Sequence, residues 1–80
     1  MRNIEAMDYD DLLSLHNNII TEEEMGEVED HHLVTWFELI GRTEEHKGCY
    51  WYEVQIKHPQ EDSDLSRIIS LYVDVTTRIN

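Results

Sequence analysis

Cys49 and His46 are the one pair in this chain that looks like a nucleophile beside a base. Acyl-transfer chemistry needs a thiolate, a base within hydrogen-bond reach and an oxyanion site, gathered in a cleft. Three residues of separation place His46 on a loop and Cys49 at the start of an extended segment. The pair therefore reads as a half-buried strand thiol near a loop imidazole. Five histidines raise the question of a metal. His31-His32, flanked by Glu29 and Asp30, offers imidazole and carboxylate donors, with His46, Cys49 and His58 elsewhere. Adjacent histidines on a strand point to opposite faces, and on a helix they splay by about 100°. No C-x₂-C or H-x₃-H spacing accompanies them. Many carboxylates are present, but nothing in the sequence separates two of them into an acid and a base. Phosphate-cradling, dinucleotide and zinc-protease motifs are absent, and three glycines leave little for a phosphate loop. These observations predict a non-enzymatic protein with no cofactor and no metal.

The carboxylates carry a different chemistry, that of charge itself. The chain has 80 residues, 18 acidic and 6 basic, with a net charge of −12. Residues 1–30 hold ten acids against Arg2 alone, which leaves that third at −9, whereas residues 31–80 hold eight acids and five bases. Such asymmetry bears on partners rather than on fold. It argues against direct binding to nucleic acid or anionic membrane and for attraction to basic surfaces. Double-stranded DNA presents one charge per ~1.7 Å of axis, and carboxylates three or four apart on a helix lie ~5–6 Å apart. Asp8, Asp10 and Asp11, with Glu22, Glu23, Glu24, Glu27, Glu29 and Asp30, are thus candidates to copy a phosphate trace. Trp51 and Tyr72 are the candidate apolar anchors, because salt does not screen such contacts.

The acidic clusters DYDD (8–11), TEEEMGEVED (21–30) and QEDSD (60–64), in a small chain of mixed helix and strand pattern, resemble the small phage-encoded inhibitors of host enzymes. These include restriction, glycosylase, CRISPR and RNA-polymerase inhibitors. The resemblance is one of size and composition, without a shared motif. It implies a non-enzymatic inhibitor that blocks the nucleic-acid site of a basic protein in the host cytoplasm.

These residues need elements to hold them. Forty per cent hydrophobic residues suffice for a core, and the length allows one domain, residues 1–80. The lone cysteine suits a reducing compartment. The N-terminus reads as neither signal peptide nor anchor, so a cytoplasmic protein without membrane attachment is expected. Asp8 is a helix N-cap for a helix over Tyr9–Ile20, with Tyr9, Leu12, Leu13, His16, Ile19 and Ile20 as its apolar stripe. Thr21 to Glu24 reads as a capping box for a short second helix that Gly26 disfavours. Leu33–Ile40 favours a strand over a helix because it is β-branched and aromatic, and Gly41–Gly48 closes a hairpin. Cys49–Lys57 alternates, with Tyr50, Tyr52, Val54 and Ile56 on one face. Arg67–Ile79 alternates again, with Ile69, Leu71, Val73, Val75 and Ile79 inward. The prediction is an α+β fold, α-(α)-β-β-β, with the N-terminal helix packed on a three-stranded antiparallel sheet. Its uncovered face would present Trp51, Tyr72 and Trp36. That face supports an alternative function, a structural or adaptor protein that forms homodimers or assembles through aromatic contacts.

Overall fold

A computed structural model of the protein describes residues 3–46, 48–60 and 66–74. Asp8 caps the first helix, α1 (Tyr9–Leu13), by a reciprocal pair of bonds. Its carboxylate accepts from the Asp11 amide at 2.9 Å, and that of Asp11 accepts from the Asp8 amide at 3.3 Å. The helix stops after five residues, well short of the Ile20 that the apolar stripe predicts. Asn17 takes a left-handed φ of 67°, which an asparagine tolerates and a continuing helix does not. Beyond it the β-branched triplet Ile19–Thr21 extends as β1, where branching at Cβ is favoured. Of the expected stripe Leu12 and Ile20 are buried and His16 and Ile19 are exposed, while Leu15, outside the stripe, is buried.

Thr21 caps the second helix, α2 (Glu22–Glu29), with the expected capping box. Its hydroxyl accepts from the Glu24 amide at 3.0 Å, and Glu24 Oε1 accepts from the Thr21 amide at 2.9 Å. Gly26 lies inside the helix, which therefore forms despite it. The strands β2 (Val34–Thr43), β3 (Cys49–Ile56) and β4 (Arg67–Asp74) follow. Residues 75–79 of the last predicted strand lie outside the described residues. β2 is a strand, as its composition predicts, and it runs on into the expected loop before a tight turn at Glu44–His46. Gly48 closes that turn at φ 81°, donating its amide to the Thr43 carbonyl at 2.9 Å. A side chain here would be strained and would meet the Arg42 guanidinium at 3.1 Å.

The sheet has four strands in the order β1-β4-β3-β2, not three. β2–β3 and β3–β4 are antiparallel, whereas β1 pairs parallel with β4 through Ile19↔Tyr72 and Ile20↔Val73. The α+β class holds; the sheet is mixed. One face meets the helical layer. There Ile4, Leu12, Leu15, Met25 and Val28 close over Val54, Ile56, Ile69, Leu71 and Val73. Cross-strand partners share a face, so Val34, Phe37, Leu39 and Arg42 of β2 belong to the helix side, and Trp36, Glu38, Gly41 and Thr43 to the open side. Two register shifts, at Thr35 and Ile40, break the simple alternation of β2.

The histidines knit this framework together. His31, buried at 5% exposure, donates from Nε2 to the Met7 carbonyl at 2.9 Å and accepts the Leu33 amide on Nδ1 at 3.0 Å. That network fixes a neutral ring with its proton on Nε2. His16 Nδ1 accepts from the Ser70 amide at 3.0 Å, tying the turn after α1 to β4. His58 Nδ1 accepts from the Gln60 amide at 3.1 Å. Its ring meets Tyr9 edge-on, with centroids 4.7 Å apart.

Candidate partner-binding site

The acids of α2 divide among three directions. Glu22 and Glu29 stand seven residues apart, two helical turns, and so share one face. With Met25 and Gly26 they form the wall of a groove whose floor is Tyr50 and Tyr52 of β3. The groove encloses about 260 Å³. An atom added at the Gly26 Cβ position meets nothing within 4 Å, so the glycine leaves the wall notched. Glu29 also lines the neighbouring hollow of about 320 Å³ formed with Val34, Thr35, Trp36 and Phe37 of β2. Glu27 and Asp30 face the other way. They join Glu5, His31 and His32 around an open hollow of about 370 Å³.

Glu23 is exposed. Glu24 is not a surface charge: it is 5% exposed and turned back on its own helix start. The capping box that makes it a good N3 residue also withdraws it from the acidic surface. Asp10 is exposed at the start of α1, and the carboxylates of Asp8 and Asp11 are engaged in the cap while remaining at the surface. The first thirty residues thus hold ten carboxylates against one base, Arg2.

Burial, then the negative charges of Glu29 and Glu22 and the neighbouring Tyr50, holds the Tyr52 phenol above its ordinary value. This phenol therefore stays neutral at physiological pH and can donate a hydrogen bond in the groove. The Arg42 guanidinium sits 5.5 Å from the Tyr50 ring centroid and donates from Nε to the Gly48 carbonyl at 3.2 Å. Its charge is held at the hairpin end of the groove.

The open face of the sheet carries the predicted aromatics. Trp51 and Tyr72 are cross-strand partners and both half-buried, with Ile19 next to Tyr72. Trp51 Nε1 is the one buried side-chain nitrogen or oxygen without a hydrogen-bond partner among the described residues. The most exposed apolar side chains among the described residues are Ile68 at 55%, Ile19 and Leu39 at 48%, and Trp36, Phe37 and Ile40 at 40% each. Four of these six belong to β2. The sequence reading singled out Trp51 and Tyr72 and missed the concentration on β2.

Cys49 is buried at 3% exposure. Burial, then the negative charge of Asp74, pushes its thiol up from its ordinary value. A raised thiol favours the neutral form in the fold, so its contribution to stability is complete below the unfolded value and is lost as pH rises through the folded one. The thiolate is the reactive species. Alkylation by iodoacetamide at pH 8 is expected to run at least about tenfold slower in the native protein than in the urea-unfolded chain. Equal rates would show an accessible thiolate and reopen the nucleophile reading.

No group of three or more His, Cys, Asp or Glu side chains among the described residues is arranged to hold a metal ion. His31 and His32 stack at 4.7 Å, 15° from parallel, and both nitrogens of His31 are already engaged. No described helix is long and apolar enough to cross a membrane. No protein-family model matches the chain, and neither the curated proteins nor the solved structures gave a match.

Proposed function

We propose that the protein is a non-enzymatic inhibitor that uses its acidic helical layer to occupy the basic nucleic-acid-binding surface of a target protein. One observation carries this reading: residues 1–30 hold ten carboxylates against Arg2 alone, and α2 walls an aromatic-floored groove. The exposed carboxylates attract a surface built for phosphates, and the groove supplies contacts that salt does not weaken. Glu22, Glu23, Glu27, Glu29 and Asp30 are the principal contacts, with Asp8, Asp10 and Asp11 extending the charge along α1. The experiment is capture from a bacterial lysate on the immobilised protein, followed by separate elution with salt and with duplex DNA. A bound protein released by both is the expected result. Retention of every bound protein in the presence of excess nucleic acid would sink the reading.

A second reading, an adaptor that self-assembles through the sheet, draws on the open face. Trp36, Ile68 and Ile19 lie there beside Trp51 and Tyr72. Sedimentation at two protein concentrations bears on the choice: a strict monomer with salt-sensitive partner binding favours the inhibitor, and a tight dimer favours the adaptor.

A further inference from the structure

β2 is an edge of the sheet, with β3 on one side and no described strand on the other. Edge strands are commonly protected by charged side chains, lysine above all, by proline, by β-bulges or by short length. β2 spans ten residues, Val34–Thr43, and contains neither lysine nor proline. Its irregularities at Thr35 and Ile40 bracket a regular stretch, Trp36-Phe37-Glu38-Leu39. All four of these side chains are exposed. Phe37 and Leu39 project to the helix side, where Tyr52 is the cross-strand partner of Leu39. On the open side Glu38 pairs with Glu53, which places two carboxylates side by side next to a free backbone edge.

That pattern selects an occupant. A second copy of the chain adds another twelve negative charges, and an antiparallel pair centred on Glu38 sets Glu38 against Glu38. Like charges directly opposite one another destabilise a strand pair. An extended segment with basic residues on the open side and apolar residues on the helix side meets both requirements of the edge. We propose that β2 receives such a segment of the target as a fifth strand, apolar residues against Phe37 and Leu39 and a lysine or arginine against Glu38. Backbone pairing supplies affinity, and the alternating side chains supply selectivity. The inference rests on the reading of the protein as an acidic binder of basic targets, and it adds where and in what conformation the target chain is held.

The probe is a fluorescent peptide of about eight residues alternating lysine and valine, a typical strand length. It is compared with a glutamate–valine counterpart and with two versions methylated on alternate backbone amides. The lysine peptide is expected to bind at low salt and the glutamate peptide not to bind. Methylation of one of the two amide sets should weaken binding at least about tenfold, because only one set faces β2. Leu39→Lys and Glu38→Lys, both at exposed positions, should each weaken it by at least the same factor while the circular dichroism is unchanged. Binding that survives both methylations, or survives both substitutions, overturns the strand while leaving the acidic-inhibitor reading intact. A protein dimer that Leu39→Lys dissociates overturns it as well, by giving the edge to a second copy. Failure of the acidic reading shows separately, as a target whose binding ignores salt and nucleic acid.

Discussion

Replacing Glu22, Glu23, Glu27, Glu29 and Asp30 together by their amides is expected to lower affinity for the nucleic-acid-binding target roughly hundredfold and to flatten its salt dependence. Each exposed charge pair contributes about 0.2–1 kcal/mol, so five of them reach about 3 kcal/mol, and 1.4 kcal/mol is a factor of ten. The substitutions retain side-chain length and leave Met25 and Val28, the buried residues of α2, untouched. Loss of favourable charge at the helix start costs a few tenths of a kcal/mol, partly offset by relief of repulsion within the cluster. Glu24→Gln is the internal control. Its carboxylate is buried and cap-bound, so its effect falls on stability and not on affinity. Calorimetry or anisotropy at several salt concentrations reads the outcome. An unchanged affinity for the fivefold variant removes the acidic layer from the binding surface.

A large single-residue effect on stability is expected at His31. Truncation to alanine strands the Met7 carbonyl and the Leu33 amide, which the ring now joins. A hydrogen-bonding group left unsatisfied in a protein interior costs about 1–3 kcal/mol, so the pair should cost roughly 3 kcal/mol. A domain of this length has about 0.05–0.15 kcal/mol per residue in total, and the loss is therefore a large fraction of what there is. Urea unfolding should show the midpoint falling with the slope preserved. His31→Phe keeps the ring and loses both bonds. It should remain nearly as unstable as the alanine variant; recovery to the native midpoint would show that ring volume, not hydrogen bonding, holds the site.

Both helix starts were legible in the sequence, because a capping box is a local contract between a residue and its third neighbour. Asp8 with Asp11 and Thr21 with Glu24 needed no tertiary information. The alternation of β3 and of the described part of β4 was equally readable, since both lie in the interior of a sheet with one face on the core. Ile19 and Ile20 were not. Their spacing continues the stripe of Tyr9 and Leu12, and only pairing with Tyr72 and Val73, far away in sequence, makes them a strand. The faces of β2 were hidden for a related reason: the shifts at Thr35 and Ile40 change which residues share a side. At the candidate site, composition revealed the acidic third but not its division. Glu22 and Glu29 flank the groove, Glu27 and Asp30 face the opposite hollow, and Glu24 is consumed by its own helix. Structural histidines were the least legible. His31 and His58 each take the amide two residues on, as a turn-forming Asn or Asp would, and nothing in the sequence distinguishes that role from a solvated ring.

The parallel join between β1 and β4 has a consequence for the order in which the molecule is made. His16 and Ser70, which meet beside that join, are 54 residues apart. The acidic residues 8–30 precede the β2–β3 hairpin in the chain, yet β4, the strand that docks β1, follows it. The hairpin of β2 and β3 can assemble as soon as it is clear of the exit tunnel, whereas the front of the chain must wait, uncovered, for β4. Closing so long a loop is entropically slow.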